Sequence, residues 1–181
     1  MIYLFLAEGF EETEALTTLD MLRRAELDVL TVGVGAKVVT GSHKIPVVAD
    51  VMDIEITPDE SLSCVILPGG MPGTLNLEKS STVQRFIDFA AENNKLICAI
   101  CAAPSILGHK GLLKGKNAIC YDGFEAQLEG AIISDKPVCR DGNFITAAGA
   151  GVSVEFGLEI VKELCSEAEA KRIKDSIKCI R

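Results

Sequence analysis

Short, continuous runs of apolar residues alternate along this chain with longer stretches whose apolar positions recur every three or four residues. A continuous run of about four to eight residues is typical of a strand buried on both faces, and the second pattern is typical of an amphipathic helix. The strand-like runs are Ile2–Leu6, Asp28–Val34, Cys64–Leu67, Leu96–Ile100 and Phe144–Ala147. The helix-like stretches are Glu12–Ala25, Ser80–Asn93, Val152–Leu164 and Glu167–Lys178. The alternation predicts an α/β fold, a doubly wound parallel sheet with helices on both faces.

Smaller extended segments lie between these elements. Lys37–Thr40 and Ile45–Val48 flank a Gly41-Ser42-His43 turn, which predicts a small β-hairpin appended to the sheet. After the fourth long run the remaining extended segments are Asn117–Cys120, Ile132–Ser134 and Val138–Arg140, with a loop and a weak helical turn over Tyr121–Leu128. We expect the last two segments to pair with each other as a minor strand pair that closes near Asp141-Gly142.

The length and net charge of the chain limit the number of domains and the kinds of partner that we expect. At 181 residues the chain has one domain's worth of length, so we expect a single domain over residues 1–181. A formal net charge of −8 and a pI of about 4.8 disfavour a nucleic-acid partner, because phosphates would be repelled. No apolar stretch approaches the ~20 residues of a membrane span. We therefore expect no membrane partner.

Seven cysteines are present, an odd number, and several lie inside apolar runs. Cys64, Cys98 and Cys120 are examples. This usage suits reduced thiols in a cytoplasmic protein better than a disulfide framework.

The segment Lys95–Leu107 concentrates the candidate chemistry. A strand-like run ends at Ile100, and Pro104 fits the first turn of a helix, so Cys101 falls on the corner between the two. Such a corner projects its side chain into the crevice where open α/β sheets bind ligands, as the nucleophile elbow of hydrolases does. The N–H groups and dipole of the following helix would favour the thiolate. We therefore expect Cys101 to have a pKa below the ordinary value of about 8.5.

Two glycine-rich turns also follow strand-like runs, at Pro68-Gly69-Gly70 and at Gly149-Ala150-Gly151. Because the carboxyl ends of parallel strands meet at one edge of a sheet, we expect both turns to lie beside Cys101. Neither turn matches a dinucleotide or P-loop motif, so the sequence predicts no nucleotide cofactor.

Cys98 and Cys101 form a C-x-x-C spacing, which allows a thioredoxin-type dithiol or half of a zinc site. Both interpretations are disfavoured. A dithiol would need the helix to begin at Cys98, which instead lies in the apolar run. A zinc site lacks a second ligand pair at a recognisable spacing, so we expect no metal.

Four motifs, in this order and spacing, resemble the DJ-1/ThiJ/PfpI superfamily and its DJ-1-like branch. They are Gly9-Phe-Glu-Glu-Thr-Glu14, Leu67-Pro-Gly-Gly70, Ala99-Ile-Cys-Ala-Ala-Pro104 and Thr146–Gly151. The resemblance covers nearly the whole chain. It implies a flavodoxin-like fold of the class I glutamine amidotransferase type, and a homodimer whose interface includes Arg23 and Arg24.

The resemblance also assigns roles at the predicted site. Glu14 would be the acid beside Cys101, and a carboxyl group partly buried beside a thiolate has a raised pKa, so it would stay protonated and donate to sulfur. The backbone N–H groups at Gly69, Gly70 and Ala102 would supply donors for an oxyanion.

The chain departs from its relatives at several positions. Members with glyoxalase activity usually carry a histidine where this chain has Tyr121 or Asp122, so these two residues and Gly149 are candidate site-lining positions. His43 lies in the hairpin turn, where it would reach the site only from a partner subunit, and His109 ends the helix after the elbow as an ordinary surface histidine. The PfpI peptidase branch has histidine directly after the cysteine; here that residue is Ala102, which disfavours peptidase activity and the full amidotransferase triad.

Two functions remain open from the sequence. In the first, Cys101 acts without a cofactor on small 2-oxoaldehydes or on their protein adducts, so the partner would be a small carbonyl compound or a glycated protein. In the second, oxidation of Cys101 makes the protein a non-enzymatic sensor of oxidative stress or a chaperone. Ala148 and Ala150 stand where relatives often have arginine and proline, which leaves the site less basic in either case.

Overall fold

The computed structural model describes residues 1–179. Its strands are β1 (Ile2–Leu6), β2 (Val29–Gly33), β3 (Val38–Thr40), β4 (Pro46–Val48), β5 (Val51–Met52), β6 (Cys64–Leu67), β7 (Leu96–Ile100), β8 (Asn117–Ala118), β9 (Ile132–Ile133), β10 (Val138–Asp141) and β11 (Phe144–Ala147). Its α-helices are α1 (Glu12–Arg24), α2 (Gly73–Lys79), α3 (Ser81–Glu92), α4 (Pro104–His109), α5 (Ser153–Leu164) and α6 (Glu167–Ser176). Short 3-10 turns cover Asp53–Glu55, Glu125–Gln127 and Ala150–Val152.

Seven strands form the central sheet, in the order β10-β11-β7-β6-β1-β2-β5. Every neighbouring pair is parallel except β10 with β11. The predicted α/β sheet and its five long strands are therefore confirmed. The four central strands of this order, β11, β7, β6 and β1, end in loops at one edge of the sheet because they all run in the same direction.

Helices cover both faces of the sheet. On one face α1, α5 and α6 pack on a core that includes Leu22, Phe156 and Ile173. On the other face α3 contributes Phe86, whose ring meets Tyr3 and Phe5 edge-on at centroid distances of 4.9 and 5.2 Å. The predicted two-sided burial explains why the strands are uniformly apolar.

The predicted hairpin is also present, as the antiparallel pair β3 and β4. Its turn is fixed to the loop that precedes α1. Gly9 N–H donates to Thr40 O at 2.8 Å, and Ser42 N–H donates to Phe10 O at 2.8 Å. The hairpin thus stabilises the loop that delivers the first helix.

The predicted minor strand pair is wrong. Ile132–Ile133 pairs in parallel with Asn117–Ala118, whereas Val138–Asp141 joins the central sheet as an antiparallel edge strand. The reason is local, because Gly142 adopts a positive φ of 60° in a tight turn that folds β10 back onto β11. Two elements, β5 and α2, were not predicted.

Within residues 1–179, no helix has both the length and the apolar character that a membrane crossing requires.

Candidate functional site

The three turns predicted to meet do lie together at the carboxyl edge of the sheet. Gly69 is the point of contact between them. A Cβ added there would lie 2.6 Å from Cys101 Cβ, 2.7 Å from Glu14 Oε2 and 3.1 Å from Cys101 Sγ. The sulfur and the carboxyl group are therefore neighbours that approach each other across a residue without a side chain. Only glycine fits between them.

The backbone holds Cys101 in a conformation that L-residues rarely adopt, with φ of +64°. Its N–H donates to Ala147 O at 2.9 Å, and its C=O accepts from Tyr121 N–H at 2.8 Å. A left-handed conformation costs a non-glycine residue about 1–3 kcal/mol and persists where surrounding contacts over-determine it. Those two hydrogen bonds supply such contacts, so the corner projects the thiol in a fixed direction.

Glu14 lies in the first turn of α1 and is 1% exposed. Its Oε2 accepts from Gly69 N–H at 2.8 Å, and its own N–H donates to Glu11 Oε2, the N-cap of the helix, at 2.6 Å. Its Oε1 is buried and makes no hydrogen bond of ordinary geometry with a described residue. This oxygen faces Gly149, where an added Cβ would lie 3.9 Å away. One carboxylate oxygen thus positions the acid, and the other faces the turn of Gly149 and Ala150, whose backbone N–H at Ala150 also lowers the pKa of Glu14.

Burial raises the pKa of Glu14 to about 7. Hydrogen bonds from the Cys101 side chain and the Gly69 N–H oppose this shift, and the charge of Glu11 adds to it. The predicted raised pKa of the acid agrees with this direction. At neutral pH the carboxyl group is close to half protonated.

The pKa of Cys101 is raised to about 12, which differs from the lowered value that the sequence predicts. Burial is the largest cause, followed by the charge of Glu14 and its hydrogen bond, while the backbone N–H groups of Ala102 and Gly70 lower the pKa. The predicted dipole is also weak here, because α4 begins at Pro104 and has six residues. Both pKa values are raised, and the thiol has the higher one, so a single proton shared by the pair resides mainly on the sulfur. A thiolate forms when that proton moves to Glu14.

Two of the three predicted backbone donors face the sulfur. The N–H groups of Gly70 and Ala102 lower the pKa of the thiol, which places them beside the sulfur, and Gly70 adopts a φ of +91° where a Cβ would collide with the backbone of Gly9 and Glu11. The N–H of Gly69 is instead directed at Glu14. Gly69 therefore positions the acid, and the other two residues supply donors at the sulfur.

Tyr121, Asp122 and Gly149, predicted to line the site, share a cavity of about 340 Å³. We call it the Tyr121 cavity; its lining is Tyr121, Asp122, Ala148, Gly149, Ala150, Gly151 and Val152. The Tyr121 ring lies against Gly149, since an added Cβ would lie 3.3 Å from Tyr121 Cδ2. Gly149 in turn adjoins Glu14. Tyr121 therefore lies on the Gly149 side of the site.

Two larger surface cavities, of about 640 and 670 Å³, lie elsewhere. One borders β10 and α5, and the other borders the amino ends of β6 and β7. Neither is lined by Cys101 or Glu14. The candidate site is thus defined by its reactive groups and not by cavity size.

His43 is placed beside Glu12 and not beside Cys101 within the chain. Its Nδ1 lies 2.9 Å from Glu12 Oε2, and its N–H donates to Glu12 Oε1 at 2.7 Å. This pairing raises the pKa of His43. Glu11, Glu12 and His43 bring ligand atoms within 4.8 Å of one another, the one described group of metal-ligand type, but the hydrogen bonds already engage them. The sequence did not indicate that Glu12 fastens the hairpin turn to α1.

The remaining thiol and histidine candidates lie outside the site. Cys98 is fully buried, and its sulfur is 3.6 Å from the Sγ of Cys64 on the neighbouring strand β6. The thiol that Cys98 contacts is therefore Cys64, and the C-x-x-C spacing forms no dithiol with Cys101. His109 ends α4, where its Nδ1 lies 2.6 Å from Glu78 Oε1. It is a surface ion-pair residue, as expected.

Comparison with known proteins gives a consistent picture. The sequence profile described as the DJ-1/PfpI family matches residues 1–163. The chain is 34% identical to protein dj-1beta of Drosophila melanogaster over 171 residues, which cover 93% of this chain and 91% of the relative.

Two solved structures extend the similarity to three dimensions. A DJ-1 superfamily protein from Salmonella typhimurium is 35% identical with a TM-score of 0.91, covering 98% of this chain and 97% of its own. The oxidized form of Toxoplasma gondii DJ-1 is 30% identical with a TM-score of 0.93, covering 97% and 96%.

The close approach at Gly69 yields a first prediction. Gly69→Ala should displace Cys101 and Glu14 from each other, because the new Cβ would overlap both. The rate of Cys101 alkylation should therefore differ from that of the wild type by at least severalfold, and the difference should vary with pH. The matched control is Gly151→Ala, since nothing lies within 4 Å of a Cβ there. The measurement is the iodoacetamide rate at Cys101 by peptide mass mapping from pH 6 to 10. Identical profiles for the two variants would contradict this geometry.

The raised pKa of Glu14 yields a second prediction, on stability. An unfolded glutamate ionises near 4.5 and the folded Glu14 near 7, so burial destabilises the folded chain increasingly between those pH values and by a constant amount above them. The shift corresponds to a destabilisation on the order of 3 kcal/mol at pH 8. Glutamine does not titrate, so the free energy of unfolding of Glu14→Gln, measured with urea, should increase relative to that of the wild type as the pH rises from 4.5 to 8.

Glu12→Gln is the control with the opposite sign. The pKa of Glu12 is lowered overall, because hydrogen bonds from His43 and Ile45 outweigh its burial. The charged form of Glu12 therefore stabilises the folded chain, and this stabilisation is lost as the pH falls. At pH 8 the free energy of unfolding of Glu12→Gln should be lower than that of the wild type. A Glu14→Gln difference that is equal at both pH values would show that Glu14 is not titrating as described.

Proposed function

This chain belongs to the DJ-1/PfpI family, and we propose that it uses the Cys101 thiolate to convert small 2-oxoaldehydes such as methylglyoxal to the 2-hydroxy acid without a cofactor. The related reaction is hydrolysis of the early adducts that these aldehydes form on protein thiols and amines. The observation that supports the proposal is the close approach of the Glu14 carboxyl group and the Cys101 sulfur across Gly69. A nucleophile and a general acid arise together when the thiol proton moves to the carboxyl group.

The chemistry needs three groups, and each has a candidate. The Cys101 thiolate adds to the aldehyde carbon, and the Gly70 and Ala102 N–H groups, which are beside the sulfur, lie where they can stabilise the oxyanion that forms. Glu14 then moves a proton from the former aldehyde carbon to the neighbouring carbon, which leaves a thioester of the hydroxy acid. Water hydrolyses this thioester and returns the thiol. The sum is aldehyde plus water to hydroxy acid, so no external oxidant or reductant is required.

The position where active relatives carry a histidine is the weak point of this mechanism. General acid–base assistance is worth roughly 10²–10⁴-fold in rate. Tyr121 lies on that side of the site, but a phenol is a weaker acid and base at neutral pH than an imidazole. We therefore propose slow turnover.

A sensor or chaperone function is the second candidate. In it, peroxide oxidises Cys101 to sulfenic and then sulfinic acid. Two observations favour it: the N–H donors of Gly70 and Ala102 face the sulfur, and a close structural relative is the oxidized form of Toxoplasma gondii DJ-1. The same donors that stabilise an oxyanion would stabilise sulfinate oxygens.

We also propose a cytoplasmic homodimer. The described cysteines are all free thiols, which suits a reducing compartment. The hairpin exposes three apolar side chains, Val38, Ile45 and Val48. Arg23, on the expected interface, pairs with Asp50 at 2.8 Å within the chain, so an apolar contact at the hairpin would have to supply most of the stabilisation.

The activity prediction is lactate formation from methylglyoxal by the purified wild-type protein. The rate should vanish in Cys101→Ser, which removes the nucleophile, and fall by at least tenfold in Glu14→Gln, which removes the proton carrier. Enzymatic lactate detection measures it. Wild-type protein that makes no lactate above the buffer rate, yet gains one or two oxygen atoms at Cys101 with dilute peroxide, would favour the sensor function.

The dimer prediction is a light-scattering mass of twice the chain at micromolar concentration. Val48→Asp should shift the protein toward monomer, because it places a charge in the proposed apolar contact. Ile132→Asp is the matched control, being similarly exposed on β9, which forms a separate two-stranded sheet with β8 and is not part of the hairpin. A wild-type monomer would remove the dimer from the proposal.

A further inference from the structure

We infer that this site selects neutral carbonyl compounds with an apolar, preferably aromatic, substituent and rejects those that carry a carboxylate. The substituent would lie in the Tyr121 cavity while the carbonyl carbon meets Cys101. The inference rests on the proposed function, since it names the substrate class of that same site. It derives from residues that line the cavity, above all Tyr121, Ala148 and Ala150.

The Tyr121 cavity adjoins the reactive pair through two contacts. Tyr121 N–H donates to Cys101 O at 2.8 Å, which places the start of the cavity next to the thiol corner. Gly149 separates the Tyr121 ring from Glu14 Oε1, the oxygen that has no hydrogen bond of ordinary geometry. Cys101 and Glu14 do not themselves line this cavity, so a substituent of a molecule bound at Cys101 would enter it past Tyr121 and Gly149.

The lining of the cavity is mostly apolar. It comprises the half-buried backbone and methyl groups of Ala148, Gly149 and Ala150, the Val152 side chain, and the Tyr121 ring. The ring is 55% exposed, so one of its faces is free to stack on a planar substituent. A phenyl group would cover this surface better than a methyl group would.

The charges around the pair are acidic. Asp122 is exposed and is the one charged residue among those lining the cavity. Glu14 and Glu11 lie at the reactive pair itself, joined by a 2.6 Å hydrogen bond from the Glu14 N–H. The one nearby basic side chain that the sequence offered, His43, is engaged by Glu12. A substrate carboxylate would therefore approach acidic groups without a free cation to receive it, which disfavours its binding.

The test uses matched alkylating reagents on the full-length protein and needs no turnover. Iodoacetamide and iodoacetate differ in charge, and chloroacetone and phenacyl chloride differ in a methyl or a phenyl group. Each pair shares its leaving group. Both reagents of a pair meet the same thiolate, so the ratio of their rates does not depend on the pKa of Cys101. Peptide mass mapping gives the ratio at Cys101, and 2-mercaptoethanol in the same buffer gives the reference.

We expect both ratios at Cys101, neutral over anionic and phenyl over methyl, to exceed the reference by about tenfold, which corresponds to about 1.4 kcal/mol each. Asp122→Asn should reduce the charge ratio, whereas Asp135→Asn, on an exposed acid that does not line this cavity, should reduce it less. Tyr121→Ala should reduce the phenyl ratio, and Tyr121→Phe should retain it because the ring and not the hydroxyl provides the contact.

Ratios equal to the reference, or Cys101 left unmodified after prolonged exposure to every reagent, would overturn the inference. Equal effects of Asp122→Asn and Asp135→Asn would overturn its electrostatic part. These outcomes are distinct from failure of the proposed function. Elevated ratios without lactate formation would support the selective site and contradict the enzymatic function. Lactate formation with ratios equal to the reference would support the enzymatic function and contradict the selectivity.

Discussion

The hydrogen bond from Gly69 N–H to the buried carboxyl group of Glu14 is the interaction on which the site depends. A carboxyl group that is 1% exposed needs such a partner, because an unpaired buried acid would be expelled or would stay protonated at all working pH values. The bond joins the first turn of α1 to the loop after β6. It also brings the acid alongside Cys101, since Gly69 has no side chain to separate them. One backbone donor thereby sets the position of the acid and its spacing to the thiol, and it opposes part of the rise in the pKa of Glu14 that burial causes.

The thiol is held by a complementary constraint. Cys101 keeps a φ of +64° because its N–H and C=O are both engaged, by Ala147 on β11 and by Tyr121 in the loop after β8. These two hydrogen bonds, to β11 and to the loop after β8, therefore determine one orientation of the sulfur. Freedom at this corner would allow the thiol to turn away from Glu14, and the shared proton would be lost.

The sequence predicted the elements whose pattern is set by burial alone. Ile2–Leu6, Leu96–Ile100 and Phe144–Ala147 lie between two helical layers, so their positions are apolar apart from the hydroxyl groups of Tyr3 and Thr146, and the runs are easy to recognise. The predicted pairing of Ile132–Ile133 was wrong because a two-residue strand has no periodic pattern from which its partner can be inferred. The meeting of Gly69, Cys101 and Gly149 followed from parallel topology. The direction of the Cys101 pKa did not, because helix dipoles are visible in a sequence while burial and a neighbouring charge 87 positions away are not.

The two candidate functions use the same state of the molecule. Carbonyl addition requires a thiolate beside a protonated acid, and oxidation by peroxide requires a thiolate whose oxygenated product meets N–H donors. Both exist when the single proton of the pair resides on Glu14, so the electrostatics of the pair do not choose between the functions. The choice must then depend on which molecule reaches the sulfur and whether a second acid or base completes the proton transfers. In this chain both of those features converge on Tyr121. Its ring lines the cavity beside Gly149, and its phenol hydroxyl can donate or accept a hydrogen bond at the site. The identity of this one side chain therefore bears more strongly on function than the reactive pair that the fold is built to hold.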